Sequence, residues 1–359
     1  MAIRIETPEG TDALTEFVLF HDRVYESLGA RWSAFLPLQL PVLAGDSPFA
    51  KDRTIRPFWA RDGDRTLARA VAVVDARYNR HWKERLGHIV MFEALPGARE
   101  ATRLLLDAAC EWLEGHGTEA ARAGLGMLEF PFLIDAHDVL PPPFVRQNPA
   151  YYHALLKDAG FETEKGLVDY KIEVRPDLVA RWESAVEAAR RAGYEIVPLR
   201  DVAEEHRAPL FTELWCDTFK NHWGFPPFVE EEVALLIALL APAGMLDLSL
   251  VVYDPAGGPV GILWVMPEIT ATAALAPGRV LADAEKLNFL GIGVRESARG
   301  RGVNTAMAGH AYLELVRRGA KYVSYTIVLD DNWPSRRTAE KLGATVCASY
   351  VVYRRRFRR

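Results

Sequence analysis

The stretch from Leu287 to Met307, LNFLGIGVRESARGRGVNTAM, most narrows what this 359-residue chain can become. An apolar run, Leu287 to Val294, is rich in strand formers and ends in a charged, polar turn. Arg299-Gly300-Arg301-Gly302 follows, and the apolar periodicity after it predicts a helix through about Arg318. Strand, glycine-rich loop and helix, in that order, point backbone N–H groups at an anion. Glycine lets the backbone approach closely, and the helix start adds its dipole. Two arginines beside those amides strengthen a hold on phosphate. The loop lacks the Gly-Lys-Ser/Thr of a Walker A sequence, and no second βαβ unit with an acidic residue follows it, as a dinucleotide fingerprint requires. These residues imply a diphosphate-bearing cofactor gripped at 299–305.

The length exceeds one ordinary core, so two domains are expected. With 50% apolar and 25% charged residues the composition is that of a globular chain. A net charge of −5 gives no global attraction to nucleic acid or to an anionic membrane. The three cysteines, Cys110, Cys216 and Cys347, are too few and too scattered for a disulfide framework or a metal cluster, which suits a reducing cytoplasm. The N-terminal MAIRIETPEG has no apolar signal core. The longest apolar run, Val233 to Leu246, is broken by Pro242 and Gly244 and is too short to span a bilayer. It reads as a buried helix and the loop after it.

In chain order, a strand at Ile3 to Ile5 and a helix around Thr15 to Leu28 precede a proline-rich, aromatic stretch, 29–57, read as a lid of loops and a short helix. Phe58 to Arg61, Asp62-Gly63 and Thr66 to Val74 form a hairpin signal. Gly87 to Glu93 reads as a strand, Arg99 to Gly115 as a helix, Gly124 to Phe130 as a strand, Asn148 to Ala159 as a helix closed by Gly160, and Lys165 to Val174 as strand. Beyond Pro176, a helix from Leu178 to Arg191 leads into the same order again. Strand 195–199, helix 203–219 and hairpin 248–253/260–266 come before the opening strand, loop and helix; strand 322–328, helix 334–342 and strand 345–357 follow. The chain reads as a duplication, with halves 1–175 and 176–359.

The second half resembles the GNAT superfamily of acyl-CoA N-acyltransferases, whose signature is Arg/Gln-x-x-Gly-x-Gly/Ala between the fourth strand and third helix. Arg299-Gly300-Arg301-Gly302-Val303-Asn304 matches it up to the last position, where Asn304 replaces Gly or Ala. Asn332-Trp333-Pro334-Ser335 and Ala339 to Ala344 resemble a second element of that family. Asn221-His222-Trp223-Gly224-Phe225, Gly293-Val294, Leu329-Asp330-Asp331-Asn332 and Asn148-Pro149-Ala150-Tyr151-Tyr152 resemble recurring phrases of bacterial tandem-GNAT, N-acetyltransferase-like proteins. The resemblance covers nearly the whole chain, with its specific motifs in 215–353. It implies an α+β fold of two GNAT-like domains, each a mixed, mostly antiparallel central sheet flanked by helices.

The same resemblance implies acetyl-CoA or another acyl-CoA as co-substrate, lying in a splay between strands 287–294 and 322–328, with no metal. Ile292, Gly293 and Val294 would hold the pantetheine arm and Arg299 to Thr305 the diphosphate (Arg299, Gly300, Arg301, Gly302, Val303, Asn304, Thr305), with Asn332 beside them. The N–H near Leu290 or Gly291 would polarise the thioester, and Gly291 and Gly293 fit a bulged strand where a ligand approaches closely. The acceptor is an amine and needs a base; Glu285, His222, Ser324 and Tyr325 are candidates. The family's general-acid tyrosine falls on Ala339, so Tyr325 or solvent must protonate the leaving thiolate. The corresponding first-half loop, Ala94 to Glu100, has one glycine and an acid. That half reads as a degenerate copy walling the acceptor site, with Trp59, Tyr78, Phe130, Tyr151 and Tyr152 as lining and Trp223 beside them.

The reading is a cytoplasmic N-acyltransferase acting directly in a ternary complex, monomer or homodimer, on a small or peptide amine, with an acyl carrier protein as an alternative donor. Two other classes stand beside it: a non-catalytic acyl-CoA-binding scaffold, and a tRNA-dependent aminoacyl ligase. The arginine tail, 354–359, would serve the last, but the net charge does not favour it.

Overall fold

A computed structural model describes residues 2–28, 31–139, 141–142, 145–225, 227–266, 288–320 and 322–357. Its strands are β1 Arg4–Glu6, β2 Arg53–Asp62, β3 Arg65–Asp75, β4 Leu86–Ala94, β5 Ala120–Ala123, β6 Phe132–Leu133, β7 Glu162–Glu173, β8 Glu195–Pro198, β9 Leu250–Tyr253, β10 Pro259–Met266, β11 Asn288–Val294, β12 Tyr322–Leu329 and β13 Thr345–Arg356. One sheet runs β1-β2-β3-β4-β5-β13-β7-β12 with β6 against β13, and the other runs β11-β10-β9-β8. Every pairing is antiparallel except β4 with β5. Helices such as Arg99–Gly115, Pro176–Arg191, Glu204–Phe219 and Val303–Arg317 cover the sheets. The fold is α+β, as the resemblance implies.

The final strand lies among first-half strands. Tyr353 faces Ala123 of β5 on one side, and Val352 faces Lys165 of β7 on the other. β7 in turn pairs with β12, Tyr170 facing Tyr325. Strand pairing therefore crosses the 175/176 division in both directions. Three main cores result. One belongs to the first half around Phe92, Leu105 and Tyr152. A second fills the other half around Trp182, Tyr312 and Tyr325. The third is shared, packing Phe17, Trp59 and Val90 with Phe211, Trp215 and Trp264.

Some local expectations shift. The first helix is Gly10–Val24 rather than 15–28. The strand expected at 124–130 is β5, and residues 124–130 turn instead, with Gly124 at φ 89° and Leu128 at φ 54°. All four residues of β5 are buried, so it shows no alternation to read. The helix expected from Asn148 begins at Tyr152. Pro149 keeps Asn148 out of helical geometry, and the Asn148 side chain instead bonds the backbone N–H and C=O of Leu133 at 2.6 and 3.1 Å.

The halves are also joined by charge. Glu232 is fully buried and accepts from both Arg77 nitrogens at 2.8 and 3.0 Å and from Arg53, which also pairs with Asp75 at 2.7 Å. A second close contact sets β11. A Cβ added to Gly291 would stand 2.3 Å from the Trp215 ring, and one on Gly293 2.2 Å from the Thr218 hydroxyl. The close approach these glycines admit within the protein is that of helix Glu204–Phe219.

Two outcomes are expected. Glu232→Ala strands Arg53 and Arg77 and costs about 3–5 kcal/mol, seen as a lower urea midpoint, whereas Glu231→Ala, which removes only an exposed pair with Lys51, costs less than about 1 kcal/mol. Gly291→Ala drives Trp215 from its packed position and costs about 1–3 kcal/mol by thermal unfolding.

Candidate functional site

Among the described residues β11 is the edge of one sheet and β12 the edge of the other, and no strand pairing joins them. The gap opens into a cavity of about 770 Å³. Its walls are Gly291 to Val294, Tyr325 to Val328, the turn Arg295 to Gly300, the helix start at Val303 and Asn304, and the loop Asp217 to His222 with Phe225. Trp215, Phe219 and Phe225 give one wall an aromatic face; Trp215 and Phe219 lie 4.4 Å apart by ring centroid. Trp264 faces Gly291 and Val265 faces Phe289, so Leu290 has no partner across the ladder. This is a β-bulge, which re-aims the adjoining backbone toward the gap between the sheets.

The glycine loop is shaped for an anion. Gly300 and Gly302 adopt left-handed φ of 76° and 81°, a conformation that costs a side-chain-bearing residue about 1–2 kcal/mol. Nothing lies within 4 Å of a Cβ placed on either glycine. Helix Val303–Arg317 starts after Gly302 without a side-chain cap, leaving first-turn N–H groups with no intrahelical acceptor. The helix dipole favours negative charge there. Asn304, the departure from the family pattern, is used locally: its carbonyl oxygen accepts the Thr305 N–H at 2.9 Å and its amide donates to Thr338 at 3.1 Å. It fastens this helix to helix Trp333–Lys341. Arg299 Nε donates to the Val294 carbonyl at 3.1 Å, closing the turn from strand to loop.

The sequence candidates divide by place. Ile292, Gly293, Val294, Arg299, Gly300, Val303, Asn304, Asn332, His222 and Tyr325 line the cavity. Arg301, Gly302 and Thr305 sit on the same loop and helix start without lining it, and Leu290 contributes its bulged backbone. Glu285 lies outside the described residues. Trp223, Tyr151 and Tyr152 do not line this cavity. Tyr151 and Tyr152 are packed into the first half, their hydroxyls donating at 2.7 Å to the Ala94 carbonyl and to Glu93. Trp59 and Tyr78 are buried too, the latter under Arg122.

Tyr325 is buried, and its hydroxyl shares a 3.0 Å hydrogen bond with Ser335. Burial pushes its pKa up to about 12, so it holds its proton at neutral pH. Asn332 caps the helix carrying Ser335, accepting the Ser335 N–H at 3.3 Å. Ala339 is fully buried against the second core, where a tyrosine would not fit unchanged. Burial lowers the pKa of His222, keeping the imidazole neutral. Burial pushes the Cys110 thiol up to about 12 and raises that of the half-buried Cys216, while Cys347 is exposed on β13. No group of metal ligands occurs among the described residues.

One residue escaped the sequence reading. Tyr170 of β7 faces Tyr325 and Val168 faces Val328, so Thr326 and Ile327 together oppose Asp169. Asp169 is 2% exposed and accepts the Tyr170 N–H at 3.2 Å. Burial pushes its pKa up to about 7. An acid in a strand that also carries Glu162, Glu164, Lys165, Lys171 and Glu173 gives no signal of its own, and its position opposite Thr326 and Ile327 depends on a strand exchange that no local pattern encodes.

The first half shapes the site indirectly. Arg77 donates to the Pro227 carbonyl at 3.0 Å, Trp82 to that of Phe225 at 3.0 Å, and His81 meets that of Lys220 at 2.7 Å. Trp223 lies between the Arg122 and Lys165 cations at 4.6 and 5.8 Å. Together they hold the segment whose Lys220, Asn221, His222 and Phe225 form a cavity wall. In the first half itself, the Met91 N–H at the irregular step of β4 is taken by the Glu129 carboxylate at 2.6 Å, and Arg99 pairs with Asp158 at 2.6 Å. The tail is engaged as well, Arg354 with Glu164 and Arg355 with Asp107 at 3.0 and 2.7 Å. Arg358 and Arg359 lie outside the described residues. No helix among the described residues is long and apolar enough to cross a membrane.

Comparison with known proteins agrees with this geometry. Residues 208–344 match the Acetyltransferase (GNAT) family. A protein named bacterial ceramide synthase, from Caulobacter vibrioides, is 22% identical over 329 residues, which is 86% of this chain and 85% of that one. A tandem GNAT protein from the clavulanic acid biosynthesis pathway superposes with a TM-score of 0.57 at 13% identity, over 99% of this chain and 98% of the other. A fungal multi-domain protein with a GCN5-related glucosamine N-acetyltransferase region has a TM-score of 0.59 at 14% identity; this chain spans 38% of its length. Residues 208–344 thus match the GNAT acetyltransferase family, and they lie within a fold that the chain shares with a tandem GNAT protein.

Proposed function

We propose that the chain transfers an acyl group from acyl-CoA to an amine, by direct attack within a ternary complex. The observation that carries this is the cavity between unpaired β11 and β12, ending at an open, left-handed glycine loop and an uncapped helix start. A diphosphate fits that end, and an extended pantetheine arm fits the free edge of β11. The bulge at Leu290 offers backbone N–H to the thioester carbonyl, and the neutral Tyr325 hydroxyl offers a proton to the leaving thiolate. The residues contributed by the first half would brace the acceptor loop, which suits a copy whose own bulge is filled by Glu129. The aromatic wall suits an apolar chain on donor or acceptor. With the ceramide synthase relative in view, a sphingoid base is the amine to try first, and the cytoplasm the compartment.

The buried Ala339 in place of a tyrosine favours one second reading, an acyl-CoA-binding protein without turnover. Calorimetry with CoA and acetyl-CoA separates the readings. Binding with thiol release on adding sphinganine supports transfer, binding without release for any amine supports the scaffold, and no binding overturns both. Gly302→Leu is expected to weaken CoA binding at least tenfold, about 1.4 kcal/mol, with an unchanged circular dichroism spectrum. Tyr325→Phe is expected to keep CoA affinity and to lower kcat by about 10²–10⁴-fold.

A further inference from the structure

We propose that Asp169, a residue of the first half, is the terminal acceptor of the proton shed by the attacking amine, reached through the hydroxyl of Thr326. The inference rests on the acyl-transfer reading above and names the base that reading lacks. Thr326 lines the cavity, yet it is 7% exposed, and its buried hydroxyl has no partner at standard hydrogen-bond geometry, the Asp169 carboxyl being the acidic group on which it acts. That hydroxyl lies close enough to the Asp169 carboxyl to favour its ionised form. The ladder is irregular here, Thr326 and Ile327 together standing opposite Asp169 between the pairs Tyr325–Tyr170 and Val328–Val168. The local backbone is bent to achieve this: Ile327, a β-branched residue, takes a left-handed φ of 53°. Thr326 is thus the polar group between carboxylate and cavity.

A buried carboxylate without a cation beside it is costly and calls for a reason. No cation is among the groups acting on Asp169; burial favours its protonated form, and what opposes this are the Thr326 hydroxyl and the N–H groups of Tyr170 and Ile327. The ionisable groups that feel its charge are Cys347 and Tyr350 of β13, which Asp135 also faces, and Lys171 acts on Cys347. A carboxyl poised near neutrality is matched to taking a proton at working pH.

The step balances. The amine nitrogen bonds to the thioester carbon, its proton passes to Thr326 Oγ1, and the threonine proton passes to the Asp169 carboxylate. The C–S bond breaks with its electron pair on sulfur, which takes a proton from Tyr325. Solvent returns a proton to Tyr325 and removes one from Asp169.

The test compares Asp169→Asn, which keeps a hydrogen-bond acceptor but cannot titrate, with Thr326→Val and Thr326→Ser. Thiol release from acetyl-CoA with sphinganine is followed against pH, and CoA affinity by calorimetry. The expected result is unchanged CoA affinity throughout and rates at least about 100-fold lower for Asp169→Asn and Thr326→Val. Thr326→Ser should restore the rate, and the acid limb near pH 7 should vanish in Asp169→Asn. An Asp169→Asn protein with the wild-type rate or limb overturns the proposal.

Denaturant stability gives a readout that needs no acceptor. Folded Asp169 keeps its proton between about 4 and about 7, where the unfolded chain has released it, so stability falls as pH rises through that window. Asp169→Asn should remove that slope; a slope unchanged in the variant overturns the assignment. Failure of the wild-type chain to bind CoA would instead strike the acyltransferase reading, with this slope still reporting on Asp169.

Discussion

The hydrogen-bond ladders on either side of β13 are the constraint on which the molecule depends. β13 fills the place between β5 and β7, and β7 carries β12 at its far edge. Removing that strand would leave two facing rows of backbone donors and acceptors without partners, in a region where Val351, Val352 and Tyr353 are buried. The exchange also sets β12, one wall of the cavity, against the first-half strand β7. β12 ends the longer sheet and β11 ends the shorter one, so the separation of the sheets is the opening of the site.

Several features were legible because they are local. Helix Arg99–Gly115 agrees with its apolar spacing to the residue, and the Asp62-Gly63 turn joins β2 to β3 as read. The glycine loop announces itself because no other residue adopts its backbone angles at little cost. Gly291 and Gly293 signalled a close approach, but glycine does not name the partner, and here it is Trp215 and Thr218. Tyr151 and Tyr152 looked like lining for a similar reason: an aromatic ring with a hydroxyl serves a core with a buried acid as well as a binding wall. Glu93, which binds Tyr25, His21 and Arg146, supplies that acid.

What could not be read is non-local. β5 is a short run of small residues and one arginine, buried throughout, and only its neighbours make it a strand. The exchange of β7 and β13 leaves no periodic trace, since each strand has the same pattern whichever sheet receives it. Asp169 inherits that obscurity. Its environment is made by β12 on one side and β13 on the other, more than 150 residues away in sequence.

The position of β13 bears on synthesis. A growing chain folds its early part first when that part is complete in itself. Here the first half has its β1 to β5 ribbon, while the place beside β5 stays open until residues 345–356 have been made. An open strand edge invites pairing with other chains. Nascent chains spend the interval before β13 arrives with an unfinished seam beside β5. Closed by its last strand, the chain completes its longer sheet only when residues 345–356 are in place.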